Sequence, residues 1–173
     1  CDGVMDTRRR AARTVLDQLF HCLTSWLAPI LVFTAEETWL SRFPGEDSSV
    51  HLNQFPAIPA NWQNDDLDAK WSKVRTFRRV VTGALEIERR EKRIGSSLQA
   101  APTVFVNDDY RDLLKGLPLD DLCITSGLTL SMDSAPSDAF TLDDVEGVAV
   151  VSALADGEKC DRCWKVLDEV GKN

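Results

Sequence analysis

The sequence predicts a mainly α N-terminal half followed by a small α+β domain that ends in a Cys-x-x-Cys loop. Three observations carry this reading. Leu67, Trp71, Val74, Val81 and Leu85, with Phe77 beside them, recur at helical spacing between Leu67 and Ala100, and a period of roughly 3.6 residues gathers them into one apolar stripe. Beyond Pro102 the helical period gives way to β-branched runs. Near the end, Cys160 and Cys163 stand two residues apart in GEKCDRCWK. The expected divisions are a helical bundle over 1–100, an α+β domain over 101–155 and a cysteine-bearing segment over 156–173.

In chain order, Asp6 or Thr7 caps a first helix whose wide apolar face, Val15 and Leu16 through Trp26 and Leu27, should pack into a bundle. Pro29 disturbs the helix near its end. Thr34, with Glu37 three residues on, makes a capping-box pattern that starts a second helix through Trp39 and Leu40. Glu36 and Glu37 are helical neighbours that point apart, so they read as helix-start charges and not as an acid/base pair. From Phe43 to Asp66, Pro44, Pro56 and Pro59 break the pattern into an extended connection that Phe55 and Trp62 are expected to pin to the bundle. His51 has no cysteine or histidine at ligand spacing, and both His51 and His21 read as ordinary packing or surface residues. Asp65 or Asp66 then caps the long helix.

At the end of that helix, Gly95-Ser96-Ser97 lacks the G-x-x-x-x-G-K spacing that wraps amides around a phosphate, and it reads as a helix terminus. Thr103 to Val106 is expected as a strand, with Asp108 or Asp109 capping a helix through Leu113, Leu114 and Leu117. The runs Leu122–Ser131 and Val145–Leu154 should pair as strands, with a polar loop over Asp133–Asp144.

Charge is distributed unevenly. The 173 residues carry a net charge of −8, yet Leu67–Ala100 holds nine Lys/Arg against four Asp/Glu, a balance of plus five. On the helical wheel Arg75, Arg79, Arg90 and Arg93 fall within roughly 60° of one another, beside the apolar stripe. Arg8, Arg9, Arg10 and Arg13 make a second cluster, which alone reads as a solvated helix end and beside the first as part of a phosphate-facing surface. Residues 101–173 hold six Lys/Arg against fifteen Asp/Glu. This acidic skin excludes a phosphate grip over the whole second half. No apolar run approaches the roughly 20 residues that cross a bilayer, and the start has no apolar core followed by a cleavage site, so no membrane partner is expected.

Five cysteines at positions 1, 22, 123, 160 and 163 do not make a disulfide framework. A reducing, cytoplasmic setting fits them. Cys22 and Cys123 lie in apolar surroundings and read as buried, inert thiols. Cys160 and Cys163 let two sulfurs meet one tetrahedral ion, half of a four-ligand zinc site whose other ligands would lie beyond Asn173. The alternative, a redox pair, expects a thioredoxin-like strand-to-helix entry that the pattern lacks. The chain opens on Cys1 and stops after half a motif, so it reads as a fragment.

These motifs together carry a resemblance. WLAPILVFTAEETW, Trp26 to Trp39, is similar to a helix pair of the anticodon-binding domain in the isoleucine, valine and leucine enzymes. EKRIGSSLQA, Glu91 to Ala100, resembles a K-x-I-G-S-S-L-E-A segment, departing at Gln99, and GEKCDRCW resembles the opening of a zinc knuckle. Cys1-Asp2 resembles the end of a D-x-R-K-D-x-L-Y-C-D helix. The combination, in this order, resembles the C-terminal region of the bacterial isoleucyl-tRNA synthetase family, class I aminoacyl-tRNA synthetases.

The resemblance implies a tRNA-recognition region for the anticodon stem-loop of tRNA(Ile), acting as a monomer within a longer polypeptide. Isoleucine activation by ATP and Mg, and editing, would lie upstream in domains absent from this chain. Arg75, Arg79, Arg90 and Arg93 would hold the RNA backbone. The positions of Arg162 and Trp164 approach the anticodon loop in the family; Trp164 reads equally as a packing residue beside the metal. Zinc would be held by Cys160 and Cys163 only in the full-length protein. Two rival readings remain: a zinc-stapled protein-interaction module and a redox or metal-carrier domain.

Overall fold

The structure, a computed structural model, describes residues 3–172; Cys1 and Asp2, with the resemblance read on them, and Asn173 lie outside the described residues. Packing divides the chain into two compact units, residues 1–63 and 64–173.

In the first unit, α1 (Thr7–Leu27) starts as expected, the Asp6 carboxylate accepting the Arg8 and Arg9 amides. The unit's core is an aromatic cluster: Trp39 of the second helix and Phe43, which caps its end, pack near Phe20 and His21 of α1, over Ala28, Ala35 and Val50. His21 is thus a packing residue. The expected burial of the α1 apolar face is only partly met, because Leu16, Leu19, Leu23, Trp26 and Leu27 stay exposed while Cys22 is buried. The second helix, α2 (Val32–Arg42), starts before the expected capping box: its N-cap is Leu31, and Thr34 lies inside the helix. The Ile30 and Leu31 amides already bond the Leu27 carbonyl, so the turn at Pro29 leads directly into α2 with no side-chain cap. Glu36, expected as a helix-start charge, instead anchors the connection by accepting the Ser49 hydroxyl at 3.0 Å and the Val50 amide at 2.9 Å. Buried Val50, not Phe55 or Trp62, pins that segment, since both aromatics are exposed.

The second unit is built on α3 (Asp65–Arg90), whose N-cap is Asn64, one residue before the expected aspartates. Its stripe, Val74, Phe77, Val80, Val81, Ala84 and Leu85, is buried against a sheet, so packing groups the long helix with the strands although its sequence reads as part of the bundle. The sheet has the order β2-β1-β4-β3, with β1 (Thr103–Val106), β2 (Thr129–Ser131), β3 (Phe140–Leu142) and β4 (Val145–Val151). Val104 and Val106 alternate with half-buried residues on β1, whereas Val148, Ala149 and Val150 are buried in succession at the centre of β4. The two β-branched runs do not pair with each other: β1 lies between them, parallel to β2 and antiparallel to β4. A parallel pair needs a crossover, supplied by α4 (Asp108–Leu114), capped by Asn107, and α5 (Leu119–Cys123). The α5 helix takes Leu122 and Cys123 out of the expected strand, and Ile124 in the left-handed region closes it. Within the expected polar loop, β3 forms against β4.

The long helix ends ten residues before Ala100. Lys92 has φ 59°, its amide bonds the Arg89 carbonyl at 3.0 Å, and the Arg93 amide bonds the Glu88 carbonyl at 2.9 Å. This is a Schellman termination with lysine in the place usually held by glycine. Ser96 and Gln99 then form a capping box around a short turn over Ser97–Gln99. Glutamine serves that box as glutamate does, so the departure at Gln99 preserves the structure.

Candidate nucleic-acid interface

The termination at Lys92 changes the arginine flank. Arg75, Arg79 and Arg90 remain on α3, with Arg90 about 22 Å along the axis from Arg75 at 1.5 Å per residue. Arg93 leaves the wheel. It turns back onto the helix end, where its guanidinium grips Glu88 through Nη2 at 2.8 Å and also pairs with Glu91. The Arg93 hydrogen bond holds the Glu88 carboxyl below the usual range, over the opposing effect of burial. Arg79 reaches Asp144 at 2.6 Å, and its hydrogen bond lowers the Asp144 carboxyl in the same way. Arg75 lies 3.6 Å from Asp68, while Arg90 is exposed and has no recorded ion pair among the described residues. Exposed ion pairs of this kind are worth about 0–1 kcal/mol, so a phosphate can replace the carboxylate at Arg75 or Arg79 at small cost. Arg78, which the wheel does not single out, donates to the Leu122 carbonyl at 2.7 Å and ties α3 to α5.

The C-x-x-C segment forms a hairpin, β5 (Glu158–Lys159) antiparallel to β6 (Val166–Leu167). Its tip is closed by the Cys160 amide on the Lys165 carbonyl and the Trp164 amide on the Cys160 carbonyl, both 2.8 Å. The amides of Cys163 and then Arg162 donate to the Cys160 sulfur, and with the neighbouring Cys163 thiol they lower the Cys160 pKa. That is the environment of a thiolate ligand. The chain supplies two of the four donors a structural zinc requires, and among the described residues no group of three or more potential ligands converges. Zinc therefore fits as half a site.

Trp164 sits at the tip with φ 65° and is 63% exposed. A left-handed backbone is an outlier for a bulky residue. Lys159 Nζ stands 5.5 Å from the indole centroid. Arg162 is exposed on the same turn.

Two anchors fix the hairpin to the sheet unit. The Ser126 hydroxyl donates to the Leu98 carbonyl and accepts the Val166 amide at 2.6 Å. Lys165 Nζ lies 2.7 Å from both Asp120 and Asp121. Lys165 depresses the Asp120 carboxyl, and that carboxyl raises Lys165. A depressed carboxylate stabilises the fold above its ordinary pKa, near 4, and the contribution is lost as pH falls through the depressed value; a raised lysine contributes below its ordinary pKa and loses that as pH rises through the raised one. At neutral pH both contributions are present. Lys165→Met is expected to make the acid limb of stability shallower and to loosen the hairpin first, as read by acid titration of circular dichroism and by amide exchange at Val166. An unchanged acid limb would show that this pair does not anchor the hairpin.

Residues 2–104 match the family described as the anticodon-binding domain of tRNA ligase. The chain belongs to this anticodon-binding family. The match runs through α1, α2, α3 and the Ser96–Gln99 box into the first residues of β1. Over its whole length, the chain is 63% identical to an isoleucine–tRNA ligase of Ruegeria pomeroyi, 53% to one of Agrobacterium fabrum and 49% to one of Bartonella henselae. In each case it spans 18% of the relative's length. Among the described residues no helix is long and apolar enough to cross a membrane.

The wheel-based reading thus brings Arg75, Arg79 and Arg90 to one helix and assigns Arg93 wrongly to it. Cys160, Cys163, Arg162 and Trp164 do share one turn. Lys159 and Lys165, the basic neighbours that the sequence places beside the cysteines in GEKCDRCWK, turn instead to the Trp164 ring and to Asp120 and Asp121. The lysines' partners lie across the hairpin or about 45 residues away, beyond any local spacing.

Proposed function

We propose that this chain is the tRNA-recognition part of an isoleucine–tRNA ligase and binds the anticodon stem-loop of tRNA(Ile). The observation that carries the reading is the anticodon-binding family match over residues 2–104, supported by full-chain identity to isoleucine–tRNA ligases. Activation of isoleucine by ATP with Mg, and transfer to the tRNA, belong to the rest of the polypeptide, in a cytoplasmic monomer. Zinc would be completed by two ligands beyond Asn173, holding the tip of the hairpin rigid.

In this mechanism Arg75, Arg79 and Arg90 hold the stem's phosphates and set register without reading sequence. Arg93 acts at one remove, by fixing the helix end. Trp164 offers a flat exposed ring to an unstacked loop base, and Arg162 a planar guanidinium beside it. Within residues 101–173 the net negative charge opposes RNA except where Arg162 and Trp164 project, so contact in this stretch falls at the hairpin tip.

The test is a salt titration of tRNA(Ile) binding to the full-length protein. Three phosphate contacts should make log K fall with log salt at a slope of about −2 to −3. A zinc-stapled protein-interaction module would show no such affinity for this RNA. Trp164→Gly separates the two roles of the indole. Glycine adopts φ 65° freely, so the variant should keep or slightly raise the thermal midpoint while weakening tRNA binding by about tenfold, the loss of one base stack. A packing role would instead lower the midpoint and leave affinity unchanged.

A further inference from the structure

We infer that Lys159 and Trp164 form one stacking platform for an unpaired RNA base, with the Lys159 ammonium held against one face of the indole and the other face open to the base. The inference rests on the reading of Trp164 as an anticodon-loop contact and assigns Lys159 as the positioning residue that makes this contact effective. Lys159 is the last residue of β5 and is paired in register with Val166. The left-handed turn at Trp164 brings the indole back to the lysine five residues earlier, with Nζ 5.5 Å from the ring centroid. That distance lies within the roughly 6 Å at which a cation is attracted to an aromatic face.

An exposed tryptophan on a turn tip samples several rotamers, and a base that stacks on it must first order it. In the docked hairpin the backbone is already held in place. The Trp164 and Cys160 amides close the turn, and Lys165 and Val166 tether its exit to Asp120, Asp121 and Ser126. The remaining freedom is the rotation of the indole itself, and the ammonium over one face restrains it. A base arriving on the open face meets a ring already oriented. The ligand class is a nucleobase in single-stranded RNA, because a flat ring backed by a cation offers stacking and no hydrogen-bond pattern that would select a protein side chain.

The test is a double-mutant cycle in the full-length protein, with Lys159→Met, Lys159→Arg, Trp164→Ala and the Lys159→Met/Trp164→Ala pair, read as dissociation constants for tRNA(Ile) at low and high salt. Lys159→Met should weaken binding by about threefold, the size of an exposed cation–π contact, at both salt concentrations. Lys159→Arg should restore it. The pair should bind no more weakly than Trp164→Ala alone, because the lysine acts through the ring. Zinc content and thermal midpoint of the variants should match the parent, which a merely structural role of Lys159 would not allow. Multiplicative effects, or a Lys159→Met loss that vanishes at high salt, would make the lysine an independent phosphate contact and overturn the platform. A silent Lys159→Met beside a weakened Trp164→Ala overturns the platform alone. A silent Trp164→Ala removes the base-contact reading and the platform with it.

Discussion

A methyl group at Gly157 is expected to open the Cys160–Cys163 hairpin and abolish its proposed contribution to RNA binding while the sheet stays folded. Gly157 has φ 111°, and a Cβ there would lie 2.3 Å from the Leu167 carbonyl carbon, 2.4 Å from its oxygen and 2.6 Å from the Asp168 nitrogen. These atoms are backbone, so no side chain can swing aside. The strained conformation alone costs a residue with a Cβ about 1–3 kcal/mol, and the overlap adds to it. The neck of the hairpin must part, carrying Cys160 and Trp164 away from the anchors at Asp120, Asp121 and Ser126. Gly157→Ala should therefore show rapid proteolysis within 158–167, an unchanged sheet signal in circular dichroism and tRNA affinity no better than that of Trp164→Ala. Wild-type affinity would mean that the hairpin tip makes no contact with the RNA.

Phe77→Ala should cost the second unit most of its stability. Phe77 is 1% exposed and lies at the centre of the α3 stripe, its ring 6.4 Å from that of Tyr110, with Val80 and Val81 wholly buried beside it. Removing a buried phenylalanine ring costs about 3–5 kcal/mol, a large part of the roughly 5–15 kcal/mol that holds a domain folded. In urea the unfolding midpoint should fall by about 2 M at ordinary slopes, read from the far-ultraviolet signal of residues 64–173. A shift of a few tenths of a molar would place the core of this unit elsewhere than under α3.

The contrast between what the sequence discloses and what it conceals follows from the range of each interaction. The stripe of α3 and the alternation in β1 are visible because burial on one face repeats along the chain. The caps of α3 and α4 are legible to within a residue, since Asn64 and Asn107 each precede an aspartate and the two residue types cap equally well, whereas α2 begins at Leu31 with no side-chain cap to announce it. The termination at Lys92 is not legible, since lysine carries no preference for a left-handed backbone, and the misplaced Arg93 follows from it. LCIT reads as a strand because Ile and Thr are β-branched, yet Ile124 takes the left-handed position that ends α5 and Thr125 is buried against Asp120. At the candidate site the cysteine spacing and the aromatic next to it are local and visible. The groups that hold them, Ser126, Asp120 and Asp121, come from a different stretch of chain, and no periodicity reports them.

The single hydroxyl of Ser126 joins the Leu98 carbonyl to the Val166 amide, groups separated by nearly seventy positions in the chain. The hairpin consequently has no docking place until α5 and the loop after it are in position. With no buried residue of its own between 158 and 167, it is expected to be the first part of the second unit to open. Hydrogen exchange should therefore find the amides of 158–167 opening independently of the strands beneath them, so that the tip bearing Cys160, Cys163 and Trp164 can exchange between docked and released states without unfolding the protein that carries it.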